Sequence, residues 1–548
     1  MRVVPRWLYG ALRSVWHLLF NPDADPPRVI VAAAVAFAVA VLTPLLWVVL
    51  QALQIDPTTG LAVVTAPTTV AIAANSLLLV TAVTVLGVAI AVPLAFLTVL
   101  ADLPHRRAWT VLVALPLVIP SYVGAFAYVS SVGPRGALAV PLRWLGLEVA
   151  SIEGLGGTVL VLTLYTYPYV FLTTRAALIS FNRRQLEAAW ALQASTPRAL
   201  VQVVIPQIIP AITAGALLAA LYTLSDFGTP AIMRFDVFTR AIYLELNTFG
   251  VGRAHASVLA LQLVALTAVI LWMEARLRGG QGGGVVVAPD LRPLVELGRY
   301  RRLAQLAPAM VVTAAIAVPI IVLLVWLVRA PPPGVGQGLA FEWGYVLNSV
   351  GVAVVAAVVT VLVAMPIAYY AGRRDGRVAQ LVERATYVGY AVPGVVIGLG
   401  LVVFATQWVR SVGGVGLARI VYQSIPLLVF AYVVRFLPQA VGSTRSSVVG
   451  VDRDLVGAAW LLGSTPVRAF RRVTLPLISP GVLTGGALVF LTTMKELDAT
   501  LILHPAGFTT IVTYIWRVQE AGYYELAAVP ALVLIGVSAL AMIPLIGR

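Results

Sequence analysis

Residues 187–193 read Glu187-Ala188-Ala189-Trp190-Ala191-Leu192-Gln193, followed by Val203-Val204-Ile205-Pro206. Residues 457–463 read Gly457-Ala458-Ala459-Trp460-Leu461-Leu462-Gly463, followed by Val473-Thr474-Leu475-Pro476. Both belong to a gapless alignment of 187–215 with 457–485, which pairs Trp190 with Trp460, Arg198 with Arg468, Pro210 with Pro480 and Gly215 with Gly485. The same register pairs Arg175 with Arg445 and Gly252 with Gly522. Upstream, a register three residues longer pairs Asn75-Ser76 with Asn348-Ser349, Pro93 with Pro366, and Pro120 with Pro393. A change of three residues falls where an outer loop is expected, and loops tolerate insertion. Matching prolines and polar pairs across so much sequence mark an internal duplication.

What is duplicated is a set of membrane spans. The 548 residues are 60% hydrophobic and 11% charged, against about half and about a quarter for a soluble domain. Apolar runs lie near 29–53, 70–100, 109–130, 157–180, 201–224 and 256–273. A second set lies near 303–328, 344–371, 385–409, 417–440, 474–494 and 526–547. Each is long enough to cross a hydrocarbon core, which needs about 20 helical residues. The expected fold is an all-α polytopic membrane protein of about 12 transmembrane helices, arranged as two parallel six-helix repeats. The repeats are expected at 1–277 and 303–548. The stretch 278–302 between them, with Gly279, Gly280 and Gly282 to Gly284, reads as a flexible cytoplasmic linker. Residues 29–53 are too long for the apolar core of a signal peptide and read as an anchored span. Trp7, Trp16 and Phe20 with Arg6 and Arg13 could form a short surface helix upstream.

The arginines set the orientation. Arg106/Arg107, Arg183/Arg184, Arg299/Arg301/Arg302, Arg373/Arg374/Arg377 and Arg471/Arg472 all fall in loops of one side. The positive-inside rule makes that side cytoplasmic and puts both termini there. The formal charge of +15 is thus a topology signal, and no nucleic-acid partner is expected. The one lysine, Lys495, precedes Glu496, so no P-loop exists. The absence of cysteine excludes thiolate metal sites and disulfides. His17, His105, His255 and His504 have no metal-ligand spacing, and no metal ligand set or catalytic residue is identified.

The duplicated block falls between the fourth and fifth spans of each half, on the arginine-rich side. It resembles the "EAA" motif of binding-protein-dependent ABC importer permeases, once per half and over nearly the whole chain. The resemblance implies the type I importer fold, with a coupling helix near 182–200 and another near 452–470, each docking in an ATPase subunit. Glu187, Ala188, Ala189 and Pro206 take the motif positions in the first copy, and Ala458, Ala459, Gly463 and Pro476 in the second. Gly457 stands where the glutamate is expected, and Gln193 where the glycine is, so the two docking helices should not be equivalent. The implied partners are two copies of a cytoplasmic ABC ATPase, an extracytoplasmic binding protein and membrane lipid. The implied location is the bacterial inner membrane. No cofactor is expected in this chain, with ATP and Mg on the partner ATPase.

Twenty residues beyond Pro206 and Pro476, about 30 Å of helix rise, lie Asp226 and Glu496. Ionisable groups at that depth are costly unless they pair or line a wet path, and carboxylate oxygens suit a hard cation. Pairing or capping within the loop is the competing structural reading. The segments Ser225-Asp226-Phe227-Gly228-Thr229 and Met494-Lys495-Glu496-Leu497-Asp498 resemble those of fused ferric-iron permeases. This makes iron(III) the leading substrate, ahead of thiamine, putrescine, sulfate and phosphonate. Arg435, inside the tenth span, occupies the position of Tyr165 in the first half. A secondary transporter driven by an ion gradient would need charge relays deep in the helices, and little beyond Arg435 offers one.

Overall fold

The computed structural model describes residues 28–132, 136–139, 151–248, 252–278, 293–329, 339–374, 376–387 and 392–546, with Trp144, Gly146 and Gly389 besides. The surface helix expected at residues 7–20 lies outside them, as does most of the glycine-rich linker. Every regular element among the described residues is helical, apart from one isolated bridge between Ala101 and Val295. Among the described residues, eleven helices are long and apolar enough to cross a membrane, and a bent pair taken as one span makes twelve. That pair, Arg106–Val118 and Ser121–Ser131, turns through 89°. Its bend falls at Pro120, which holds Ile119 in an extended conformation, as a proline does to the residue before it.

Two boundaries differ from the apolar runs. The ninth span covers Gly394–Tyr422 rather than 385–409, and the tenth Ile425–Val449 rather than 417–440. Apolar residues run on through the first junction, and at the second Arg419, Gln423 and Ser424 interrupt them. Pro393 precedes the ninth span, and Arg377–Thr386 forms a separate helix before it. The Ser424 side chain accepts from Leu427 N at 3.3 Å and so caps the tenth, with Pro426 in its first turn.

The chain forms two compact units that do not coincide with the repeats. One comprises Gln51–Trp343 with Ile511–Ala539; the other comprises Met1–Leu50, Gly344–Thr510 and Leu540–Arg548. Within the second, Trp47 packs its ring against Phe404 and Trp408 at 5.8 and 6.2 Å. Within the first, Tyr524 lies 5.5 Å from Phe126 and 5.6 Å from Trp326. The first span therefore packs with helices of the second repeat, while the seventh and twelfth pack with helices of the first.

The seventh span shows how a proline is accommodated where water is absent. Thr313–Ala317 is a π-helical turn leading into Val318–Val328, with Pro319 in the first turn of the latter. Proline has no N–H to give the preceding carbonyls. The Tyr165 hydroxyl donates to Ala315 O at 3.1 Å, and the Tyr128 hydroxyl to Ala314 O at 2.8 Å. Tyr165→Phe would leave a buried carbonyl unpaired, which costs about 1–3 kcal/mol. The expected result is a lower melting temperature of the purified protein in detergent. Adding Pro319→Ala, which returns an N–H to the ladder, should recover part of the loss.

Candidate functional site

The two copies of the duplicated motif fold alike. Arg183–Ala191 is capped by Asn182, whose side chain accepts from Arg184 N at 3.2 Å. Arg453–Leu461 is capped by Asp452, which accepts from Asp454 N at 3.0 Å. Both end in a Schellman turn. Ala194 N donates to Ala189 O and Gln193 N to Trp190 O; Ser464 N donates to Ala459 O and Gly463 N to Trp460 O. Such a turn needs a left-handed residue, supplied by Gln193 at φ 60° and Gly463 at φ 77°. The departure from the motif at Gln193 thus leaves the backbone unchanged and places a side chain where glycine is at ease.

Beyond the turn the chain re-enters a helix and crosses a π turn, Leu200–Val204 in one copy and Phe470–Thr474 in the other. Pro206 and Pro476 explain that turn. Each lacks an N–H just inside the next helix, and the ladder slips to the longer bond, Ile205 N to Leu200 O and Leu475 N to Phe470 O. Burial repeats as well. Leu186, Ala199 and Val204 are buried in the first copy, and Val456, Ala469 and Thr474 in the second. Trp190 packs partly buried against the cluster containing Leu186 and Ile208.

The opposite face is open. Glu187, Ala188 and Ala458 are exposed, and Gly457 and Ala459 partly so. Leu192 is 84% exposed, Leu461 91% and Leu462 86%. Sequence reasoning assigned these leucines no role. Their signal was present, since an apolar residue ends both copies where a solvated helix would end in polar residues. Leu192 and Leu462 occupy equivalent positions, so an exposed leucine recurs at the end of both helices.

The two carboxylates occupy equivalent breaks. Asp226 follows Ile205–Ser225 and precedes Gly228–Ile232; its Oδ1 accepts from Ser121 Oγ at 2.8 Å and its Oδ2 from Thr229 N at 3.0 Å. Glu496 stands between Leu475–Met494 and Asp498–Leu503. Its Oε1 accepts from Ala499 N, and its Oε2 from Thr500 N, both at 3.1 Å. Each carboxylate therefore caps a short helix, and each belongs to a different compact unit. Among the described residues, no group of three or more His, Asp or Glu could hold a metal.

The surroundings of the two caps differ in a coordinated way. Arg435 reaches Glu496 with Nε at 3.6 Å from Oε1, and Asp498 with Nη2 at 3.4 Å from Oδ2. The three side chains are 18%, 2% and 8% exposed. A Cβ on Gly394 would overlap the Arg435 guanidinium and lie 2.7 Å from Glu496 Oε1. In the first repeat the matching positions hold Tyr165 for Arg435, Gly228 for Asp498 and Ser121 for Gly394. There Gly124 makes the room, since a Cβ on it would overlap the Tyr165 ring. Each repeat thus brings a long side chain across to a glycine on the facing helix, by different residues.

Two predictions follow from these geometries. Arg435→Gln strands buried carboxylates and should destabilise by about 3–5 kcal/mol, read as a fall in melting temperature. Replacing the whole set, Arg435→Gln with Glu496→Gln and Asp498→Asn, should recover much of that loss. At the Schellman turns, a non-glycine left-handed residue costs about 1–2 kcal/mol. Gln193→Gly should therefore slow hydrogen exchange of the Ala189–Ala194 amides several-fold, and Gly463→Ala should speed it in the second copy.

Comparison with known proteins places this architecture. A family model described as "Binding-protein-dependent transport system inner membrane component" matches residues 87–278 and again residues 364–545. The chain is 28% identical to the Fe(3+)-transport system permease protein FbpB 2 of Haemophilus influenzae over 93% of this chain and 96% of that one. It is 23% identical to the ferric transport system permease protein FbpB of Actinobacillus pleuropneumoniae, over 79% of this chain and 65% of the relative. A probable molybdenum ABC transporter permease protein of Haloferax volcanii is 33% identical over 35% of this chain and 70% of its own length. Two tandem matches, each with its helix–turn–helix motif in the same register, account for the duplication: the chain belongs to the family of inner membrane components of binding-protein-dependent transport systems and carries that family's domain twice.

Proposed function

We propose that this chain is the permease subunit of an ATP-driven importer that takes iron(III) from an extracytoplasmic binding protein and passes it to the cytoplasm by alternating access. The observation that carries the transport reading is the pair of capped helices, Arg183–Ala191 and Arg453–Leu461, ending in exposed Leu192 and in exposed Leu461 and Leu462. Two such helices fit grooves on two copies of a cytoplasmic ATPase, with ATP and Mg held by that partner. The arginine clusters favour a cytoplasmic position for both helices and for the termini. Iron is supported by similarity along nearly the whole chain to a permease named for Fe(3+) transport. The molybdenum relative matches about a third of it. Thiamine, putrescine, sulfate and phosphonate are the alternatives.

Asp226 and Glu496 cap their helices through oxygens, and a carboxylate that caps by accepting hydrogen bonds can also meet a hard cation transiently. A weak ligand suffices, because a transporter must release what it binds. Asp226→Asn with Glu496→Gln removes the charge and keeps one acceptor oxygen at each cap, at the cost of the second acceptor and of the Arg435–Glu496 pair, so its melting temperature is read beside its uptake.

The test is reconstitution of the chain with its ATPase and binding protein in vesicles. Iron(III) uptake should depend on ATP and fall at least tenfold in the Asp226→Asn/Glu496→Gln variant, with the ATPase still bound. Undiminished uptake returns both acids to capping alone. Leu461→Ala with Leu462→Ala should weaken copurification of the ATPase at least tenfold. Glu187→Ala should lower transport-coupled ATP hydrolysis more than Gly457→Ala does. A binding protein that carries an organic ligand or an oxyanion would overturn iron as the substrate.

A further inference from the structure

The loop after the second span is joined to the end of the linker, just before the seventh span. Leu294 N and Val295 N both donate to Leu100 O, at 2.7 and 3.0 Å, and Asp102 N donates to Val295 O at 3.1 Å. The Asp102 carboxylate accepts from Leu297 N at 2.8 Å and pairs with Arg301 Nε at 3.8 Å. Between the joined segments lies a shallow, open pocket of about 460 Å³, lined in part by Asp102, His105, Arg106, Arg107 and Arg301. Asp102 and Arg301 pair with each other, so Arg106 and Arg107 give the pocket its charge. His105 adopts a left-handed conformation and starts the helix Arg106–Ala114 without a side-chain cap. The positive end of that helix therefore adds to the arginines.

The neighbouring surface is apolar. Val111 is exposed on the helix that starts at the pocket, and Leu303, Leu306 and Met310 are exposed on the seventh span. A ligand here meets cationic, hydrogen-bonding walls at one end and lipid-facing side chains at the other. From this juxtaposition we propose that the pocket binds the phosphate of an anionic phospholipid, whose acyl chains lie along Leu306 and Met310. Basic pockets on the cytoplasmic side of membrane proteins select such headgroups, and the arginine distribution assigns this loop to that side. The bound phosphate bridges Arg106 and Arg107 to Arg301 at the start of the seventh span. Free inorganic phosphate shares the chemistry but has no use for the apolar surface.

The experiment is native mass spectrometry of the full chain purified in mild detergent, with the retained lipid identified. Wild type should keep phosphatidylglycerol or cardiolipin at five times or more the level of Arg106→Gln/Arg107→Gln. That variant leaves the Asp102–Arg301 pair and the backbone seam in place. Arg106→Lys/Arg107→Lys should retain the lipid, and its melting temperature with that of the glutamine variant separates lost binding from lost folding. Arg374→Gln/Arg377→Gln removes equal charge from the matching loop of the second repeat and should leave retention unchanged. Delipidated wild type should bind dioctanoyl-phosphatidylglycerol saturably, with equimolar inorganic phosphate failing to displace it. Equal retention by wild type and the glutamine variant, or equal loss in the Arg374/Arg377 control, overturns the proposal. So does displacement of the lipid by inorganic phosphate, which would give the pocket to the free anion.

Discussion

A backbone carbonyl or N–H in hydrocarbon has no water to turn to, and every departure from a straight helix must supply its own partner. Pro206, Pro319 and Pro476 each remove an N–H inside a span or at its start. At Pro206 and Pro476 the ladder lengthens into a π turn. At Pro319 a similar turn is completed by two tyrosine hydroxyls from neighbouring helices. Those hydroxyls join the seventh span to helices of the first repeat, so a local defect in one helix becomes a tertiary contact. Asp226 and Glu496 meet the same requirement at the far ends of their helices, where side-chain oxygens receive N–H groups that would otherwise be unpaired.

Duplication gives two solutions to each of these problems, and the solutions differ. At the break after the fifth span, one repeat uses a carboxylate with a serine hydroxyl, and at the equivalent break the other uses an arginine with two carboxylates. The glycine that makes room stands at a different place on the facing helix, Gly124 in one and Gly394 in the other. The arginine cluster is held by charge in a site of low dielectric, where losing one member costs more than losing all. Tyr165 carries no charge, so its loss strands none. The two repeats therefore differ in polarity at these breaks although their backbones share a plan, whereas the Schellman turns at the opposite ends of the same spans keep the same geometry despite Gln193 replacing glycine.

The spans and the duplication were legible because apolar length and matched prolines survive in a single sequence. The ninth and tenth boundaries were not, since they are set by Pro393 and by the Ser424 cap rather than by apolar length. Both Schellman turns could be anticipated from Gly463 but not from Gln193. Asp226 and Glu496 were recognisable as unusual from their depth, while their capping bonds depend on Thr229, Ala499 and Thr500 folding back within four residues. The pairing of Arg435 with Glu496 and Asp498 spans about sixty residues and leaves no periodic trace. The exchange of helices between compact units is least legible of all, because an apolar helix carries no label for the neighbour it will meet.

That exchange sets the order in which the molecule can be completed during synthesis. The first span, Val29–Ala52, packs against Phe404 and Trp408, which emerge some 350 residues later. At about 5–20 residues per second, the ribosome takes roughly 20–70 s to deliver them. The unit begun at Gln51 waits still longer, for Ile511–Ala539. Through that interval the early helices sit in lipid with faces destined for partners not yet made, and truncation near the C-terminus would leave both units unfinished. Residues 511–539 complete one unit and 540–548 the other, so neither closes fully before this last stretch is made.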